Sequence, residues 1–287
     1  MNVDPKRDIW GALINEKASS LKSGINEEKN FLFVGSEKSG KSCLQNQFFS
    51  RRDEPPETLA LSYQSASVRQ DDKEVVLHFW EIGSGTKLDQ LISTIVTKET
   101  LKDFNAFICF NVNKPSSILT AIDWAENLIS KFSYKNQSIY FIGTFYDAFE
   151  TNDPSQKINT VQGLRAIASK YHAGLIFTSY KDDGLANRFK ALVRQLALGE
   201  TPTGEIITQH ISPVFILPDS DKECGGNEII SPYVRQLKSA PPDDDAKAAS
   251  RDDPTSSKFA EKEIDELAET NERELEEKLR TLRANII

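Results

Sequence analysis

At 287 residues the chain is long enough for one substantial core and a smaller appendage. Its net charge of −8 argues against a broad basic surface, so no nucleic-acid partner is expected. No apolar run approaches the length of a membrane span and the N-terminus lacks a signal-peptide apolar core, so no membrane insertion is expected either.

The three cysteines, Cys43, Cys109 and Cys224, stand far apart, and two of them fall in apolar elements, which reads as reduced thiols in a cytosolic protein. The histidines His78, His172 and His210 show no metal-ligand spacing, so no metal site built from protein ligands alone is expected. Residues 6–22 carry Ile9, Trp10, Leu13, Ile14, Ala18 and Leu21 at helical spacing among charges. This amphipathic helix reads either as one folded back on its own domain or as a docking helix for a partner.

The strongest signal follows. Phe31-Leu32-Phe33-Val34 reads as a short buried strand, and Gly35-Ser36-Glu37-Lys38-Ser39-Gly40-Lys41-Ser42 has the Walker A spacing. Cys43, Leu44 and Phe48 then continue with helical spacing, which supplies the strand–loop–helix context that the motif needs. Gly35 and Gly40 let the backbone wrap and aim its N–H groups inward. The helix start offers positive partial charge to a phosphate, Lys41 would reach the β and γ phosphates, and the Ser42 hydroxyl would hold Mg²⁺.

Arg51-Arg52-Asp53-Glu54-Pro55-Pro56 breaks regular structure. A strand opening at Thr58 and running to about Arg69 turns at Asp71-Asp72-Lys73 and returns as Val75 to Trp80. This pair is expected to form the antiparallel edge of an otherwise parallel sheet. Three strand–helix units follow, with strands at 106–110, 138–143 and 175–179 and helices across about 115–132, 153–171 and 184–198. Such alternation predicts an α/β fold: a doubly wound, mostly parallel sheet of the P-loop NTPase type, with ligands at the carboxyl ends of its strands. Val214 to Leu217 reads as a lone strand or a docked segment. The stretch 218–257 has the Asp, Ser, Pro and Gly content of a linker and is expected to be mostly disordered. From Phe259 a charged helix returns, with Leu275, Leu279, Leu282 and Ile286 as a short stripe suited to docking on a partner. The expected organisation is therefore an N-terminal helix over 1–29, a P-loop domain over 30–199, an extended linker over 200–257 and a C-terminal helix over 258–287.

With these residues read, the chain resembles a Ras-like G domain and, more narrowly, the light intermediate chains of cytoplasmic dynein. The resemblance lies in Arg52-Asp53-Glu54-Pro55-Pro56 with Thr58-Leu59-Ala60-Leu61, in His78-Phe79-Trp80-Glu81-Ile82-Gly83 with Gly85-Thr86 and Leu91-Ile92, and in Phe259 to Leu267. It implies a non-catalytic subunit of the dynein-2 motor that drives retrograde intraflagellar transport. The implied partners are the dynein-2 heavy-chain tail, other dynein-2 subunits and intraflagellar transport trains. The implied locations are the cytoplasm, the cytoskeleton, the axoneme of a cilium or flagellum, and the basal body.

Aligned on a G domain, Thr58 falls where the first switch threonine would meet Mg²⁺, and Glu81 takes the acidic position that an ordinary small GTPase fills with Asp. Ser84 replaces a glycine, and Gly85 stands where a GTPase places its water-orienting glutamine. Without that amide, hydrolysis loses a positioning group, so slow or absent turnover is expected. In Thr144-Phe145-Tyr146-Asp147, Asp147 reads either as the acceptor for guanine or as a helix cap, and Phe145 replaces the lysine that packs on the base. Thr178-Ser179 resembles the last guanine loop, with Tyr180 in place of the usual alanine. The nucleotide-binding candidates are thus Gly35 through Cys43 with Asp147 and Ser179, for GDP or GTP, and the Mg²⁺ candidates are Ser42, Thr58 and Glu81. The partner-binding candidates are Ile9, Trp10, Leu13, Tyr63, Leu275, Leu279 and Leu282. Two functions compete: an adaptor subunit with weak or structural nucleotide binding, and a regulatory GTPase whose nucleotide state controls partner binding.

Overall fold

The computed structural model describes residues 27–51, 53–70, 73–83, 85–95, 104–131, 138–222 and 224–241. The N-terminal helix with Ile9, Trp10 and Leu13, the C-terminal helix with Leu275, Leu279 and Leu282, and Ser84 lie outside these residues.

Among the described residues the elements run β1 (Glu27–Gly35), α1 (Lys41–Phe48), β2 (Leu61–Gln70), β3 (Lys73–Ile82), a 3₁₀ turn (Gly85–Leu91), α2 (Ile92–Ile95) and β4 (Phe104–Asn111). Then come α3 (Pro115–Ser130), β5 (Ile139–Thr144), α4 (Tyr146–Phe149), α5 (Pro154–Lys170), β6 (Gly174–Phe177), α6 (Asp183–Ala197), β7 (Phe215–Ile216) and α7 (Asn227–Ser239). The strands form one sheet in the order β2-β3-β1-β4-β5-β6-β7. β3, β1, β4, β5 and β6 are parallel, while β2 and β7 run antiparallel at the two edges. The doubly wound sheet and its antiparallel hairpin edge are as expected.

Alternation along the strands sends side chains to two faces, and both faces are covered. From β1, Leu32 and Val34 pack on one side with Ile108, Phe141 and Trp124, under α3, α5 and α7. Phe31 and Phe33 face the other way, against Phe79, Phe107 and Phe189, under α1 and α6. That second layer is aromatic, with Phe31 stacked between Phe79 and Phe107 at 5.3 and 5.7 Å between ring centroids. A strand buried on both faces needs an unbroken apolar run, and this is what makes β1, β4 and β5 legible.

The expected linker over 200–257 is corrected in its first part. Phe215–Ile216 joins the sheet edge beside β6, and Val214 is fully buried. Asn227–Ser239 is a helix, with Ile229, Ile230 and Val234 half-buried and Tyr233 and Leu237 buried against α3 and α5. The Tyr233 ring lies on Gly163 of α5, where a Cβ would overlap it. Between β7 and α7, Asp221 accepts two hydrogen bonds from Arg165, at 2.6 and 2.9 Å. The polar average of this stretch hid a five-residue apolar stripe, and Pro232 inside the helix masked it further.

Candidate functional site

The loop between β1 and α1 owes its shape to two glycines. Gly35 has φ 145° and faces Cys109 of β4 so closely that a Cβ would overlap the carbonyl oxygen. Gly40 has φ 82° at the start of α1, in the left-handed region that glycine tolerates without cost. The loop is then tied from outside. Thr144 Oγ1, at the end of β5, lies 2.8 Å from the Ser39 carbonyl and 2.9 Å from the Phe110 carbonyl. Ser36 Oγ meets Ser117 Oγ of α3 at 2.5 Å, and Ser117 Oγ accepts from the Asn111 N–H. Sequence reasoning missed both anchors, Thr144 and Ser117. The only signal was a small hydroxyl at a strand end and another in the first turn of a helix.

Lys41 is nearly buried, and its Nζ donates to the Ser36 carbonyl at 2.7 Å. Burial lowers its pKa from the ordinary lysine value, against the opposing pull of Glu81. Ser42 Oγ donates to Glu81 Oε1 at 2.7 Å, and Thr58 hydrogen-bonds the same carboxylate. The loop thus brings together the three residues named from the sequence for Mg²⁺. Thr58 stands just before β2 rather than within it, and its carbonyl covers Gly83, where a Cβ would overlap it. Between the loop and residues 54–58 lies a cleft of about 440 Å³ floored by Glu81 and Gly83.

The donor set fits a phosphate with its cation: a lysine and a helix start on one side, three oxygen donors on the other. Lys41 and the loop N–H groups would hold the phosphate, and Ser42, Thr58 and Glu81 the ion, which would supply charge neutralisation. Among the described residues no group of three or more His, Cys, Asp or Glu stands together to hold a metal.

Burial pushes the Glu81 carboxyl upward, with Ser42, Lys41 and Thr58 acting against the shift. A carboxyl raised in the fold stabilises below its unfolded pKa and loses that contribution as pH rises through its folded value. Glu81→Gln is therefore expected to raise the melting temperature more at pH 7 than at pH 4, and to remove the Mg²⁺ dependence of phosphate binding. Thermal melts at the two pH values and pyrophosphate titrations with and without Mg²⁺ check both halves.

The base-reading candidates stand apart from this cleft. Asp147 accepts from Ser179 Oγ at 2.7 Å, and its second oxygen lies 3.1 Å from Lys181 Nζ. Burial would raise the Asp147 carboxyl, but these two partners outweigh it and hold it below the usual range. Asp147 sits in the first turn of α4, but the cap residue of that helix is Phe145, in the left-handed region. Tyr63 lies on the edge strand β2, half-exposed, its hydroxyl 2.8 Å from His78 Nδ1 and its ring 4.5 Å from Trp80. The segment after Gly83 is pinned down as well. Asp89 is buried and accepts from Lys131 Nζ at 2.7 Å and Asn127 Nδ2 at 3.2 Å, both at the end of α3.

A mostly parallel sheet with a P-loop after its first strand, a serine–carboxylate pair beneath it and an Asp–Ser pair at the ends of β5 and β6 defines a G-domain class of P-loop protein. The description "Ras family" matches residues 30–198, and the chain belongs to that family. Across most of its length it is similar to cytoplasmic dynein 2 light intermediate chain 1 of Bos taurus, at 24% identity over 95% of each chain. The same protein of Mus musculus is 26% identical over 87% of each chain. That of Homo sapiens is 27% identical over 76% of this chain and 74% of the relative. The resemblance read from the sequence is borne out by these relatives.

Proposed function

We propose that the chain is a non-catalytic light intermediate chain of a cytoplasmic dynein-2 motor, whose P-loop holds nucleotide weakly or structurally. It binds the heavy-chain tail, joins the other dynein-2 subunits and contacts intraflagellar transport trains. It thereby supports retrograde transport and assembly of the cilium or flagellum. Its places are the cytoplasm, the cytoskeleton, the axoneme and the basal body. The names of the relatives support the motor assignment.

The observation that carries the non-catalytic half is Gly85. It has φ 59° and no side chain, and among the described residues beyond its chain neighbours only the Thr120 methyl group lies within 4 Å of where a Cβ would stand. No amide is available at that position to orient a water, and positioning is most of phosphoryl-transfer catalysis. The burial of Asp89 under Lys131 and Asn127 supports the same reading, because it ties the adjoining turn to α3. The convergence of Ser42 and Thr58 on Glu81 favours a second reading, a switch whose nucleotide state alters residues 51–62 and 81–92.

Partner contacts are assigned to Ile9, Trp10 and Leu13, to the sheet edge at Tyr63, and to Leu275, Leu279 and Leu282. Co-precipitation of the full chain with a purified dynein-2 heavy-chain tail tests the assignment. Stoichiometric capture, weakened by charge reversal in at least one of these three surfaces, is the expected result. No capture, or capture indifferent to all three reversals, would overturn it.

A further inference from the structure

We propose that the groove between α3, α5 and α7 is the docking site of this chain's own N-terminal segment, entered by Ile9, Trp10, Leu13 and Ile14. In the free chain these residues are then covered by their own domain rather than offered to a partner. The docking stands on the groove and the sequence; only the competition rests on the partner contacts proposed above.

The groove measures about 510 Å³. Buried Ile167 of α5 lies at its base, and its walls are Leu119 and Ile122 from α3 and Ile230 and Val234 from α7, all four half-buried. Ile230 and Val234 continue the stripe of Tyr233 and Leu237 around α7, beyond what α3 and α5 cover. The two rims carry opposite charge. α3 contributes exposed Asp123 and Glu126, and α7 contributes exposed Arg235 and Lys238. Glu126 is already paired with Lys170 of α5 at 3.7 Å, so Asp123 is the anion left to an occupant.

An occupant that fits must bring an apolar stripe with a cation on one flank and an anion on the other. Residues 6–22, which lie outside the described residues, have that pattern in their sequence. At about 100° per residue, Ile9, Leu13, Trp10 and Ile14 fall within a stripe of about 140°. Arg7 borders the stripe beside Ile14, and Glu16 borders it beside Ile9. Arg7 then meets the acidic rim and Glu16 the basic one, a match that selects one of the two helix directions. Lys6 and Lys17 fall on the stripe at its two ends, where their stems can lie along the groove and their ammonium groups reach water.

The topology puts the segment within reach. β1 begins at Glu27, and α3 and α5 run back from the ends of β4 and β5 toward the starts of β5 and β6. Because these strands are parallel to β1, both helices end on the side of the sheet where β1 begins. Twelve residues separate Ile14 from Glu27, a span of roughly 20 Å as helix and 40 Å extended. A segment tethered this closely acts at an effective concentration of about millimolar, an advantage that a separate partner lacks.

Hydrogen–deuterium exchange of the full chain, free in solution, tests the inference. The amides of residues 7–16 are expected to exchange at least about tenfold more slowly than in an unstructured peptide. Ile122→Glu and Val234→Glu place a charge in the groove from its two walls, and each is expected to bring that exchange within about twofold of the peptide rate. If Val234→Glu loosens α7, which the exchange of α7 itself reports, Ile122→Glu decides. Unprotected amides in the wild-type segment would overturn the inference, as would protection equal in all three proteins. Protection that grows with protein concentration would put the segment on a second copy and overturn it too. With a purified dynein-2 heavy-chain tail, both variants are expected to be captured about threefold more tightly than the wild type; equal capture would overturn the competition. Failure of all three proteins to be captured would remove the partner reading above and leave the docking standing.

Discussion

Asp221→Ala is expected to lower folding stability by about 3–5 kcal/mol, the usual cost of breaking a buried, bidentate ion pair from one side. Asp221 and its partner Arg165 are largely buried, with side-chain exposures of 7% and 17%. Removing the carboxylate strips the guanidinium of both bonds while leaving it under the segment between β7 and α7. That segment leads to the helix whose Tyr233 rests on Gly163, so α7 is expected to loosen with it. Urea denaturation of the full chain checks the size of the loss, and limited proteolysis after residue 220 checks its location. An unchanged midpoint would mean that α7 is held without this pair.

Lys41→Ala is expected to weaken pyrophosphate binding by about a hundredfold, in the range for truncating one member of a buried charge pair. The ammonium is nearly buried and within reach of a loop carbonyl, so its position is set before a ligand arrives. The fold should tolerate the change, because the variant removes a charge whose burial is itself unfavourable. Calorimetry reads the affinity, and a thermal melt confirms that the domain remains folded. Equal affinity in the two proteins would show that the loop glycines and helix start alone hold the phosphate.

Much of the fold and of the candidate site is legible in the sequence. The P-loop announces itself because its glycines, lysine and serine must fall at fixed spacing between a strand and a helix, and they do. The sheet is legible because strands buried on both faces carry unbroken apolar runs, as in Phe31 to Val34. What sequence reasoning could not see depends on residues far apart in the chain. Thr144 reaches the Ser39 carbonyl across 105 positions, and Asp147 meets Ser179 across 32. The helix at Asn227–Ser239 is hidden in the sequence because its short apolar stripe, with Tyr233 resting on Gly163, gains its burial only from a helix far away in the chain. A polar average describes a segment's solubility in isolation. It does not register a docking surface prepared elsewhere.

Partner binding is expected not to depend on the proposed phosphate site. The most direct measurement compares wild-type and Lys41→Ala full-length chains for capture by a purified dynein-2 heavy-chain tail, each verified as folded. Equal capture, with pyrophosphate binding lost in the variant, is what an adaptor built on a G-domain scaffold predicts. Loss of capture by a folded Lys41→Ala chain would contradict it and make the protein a nucleotide-dependent switch.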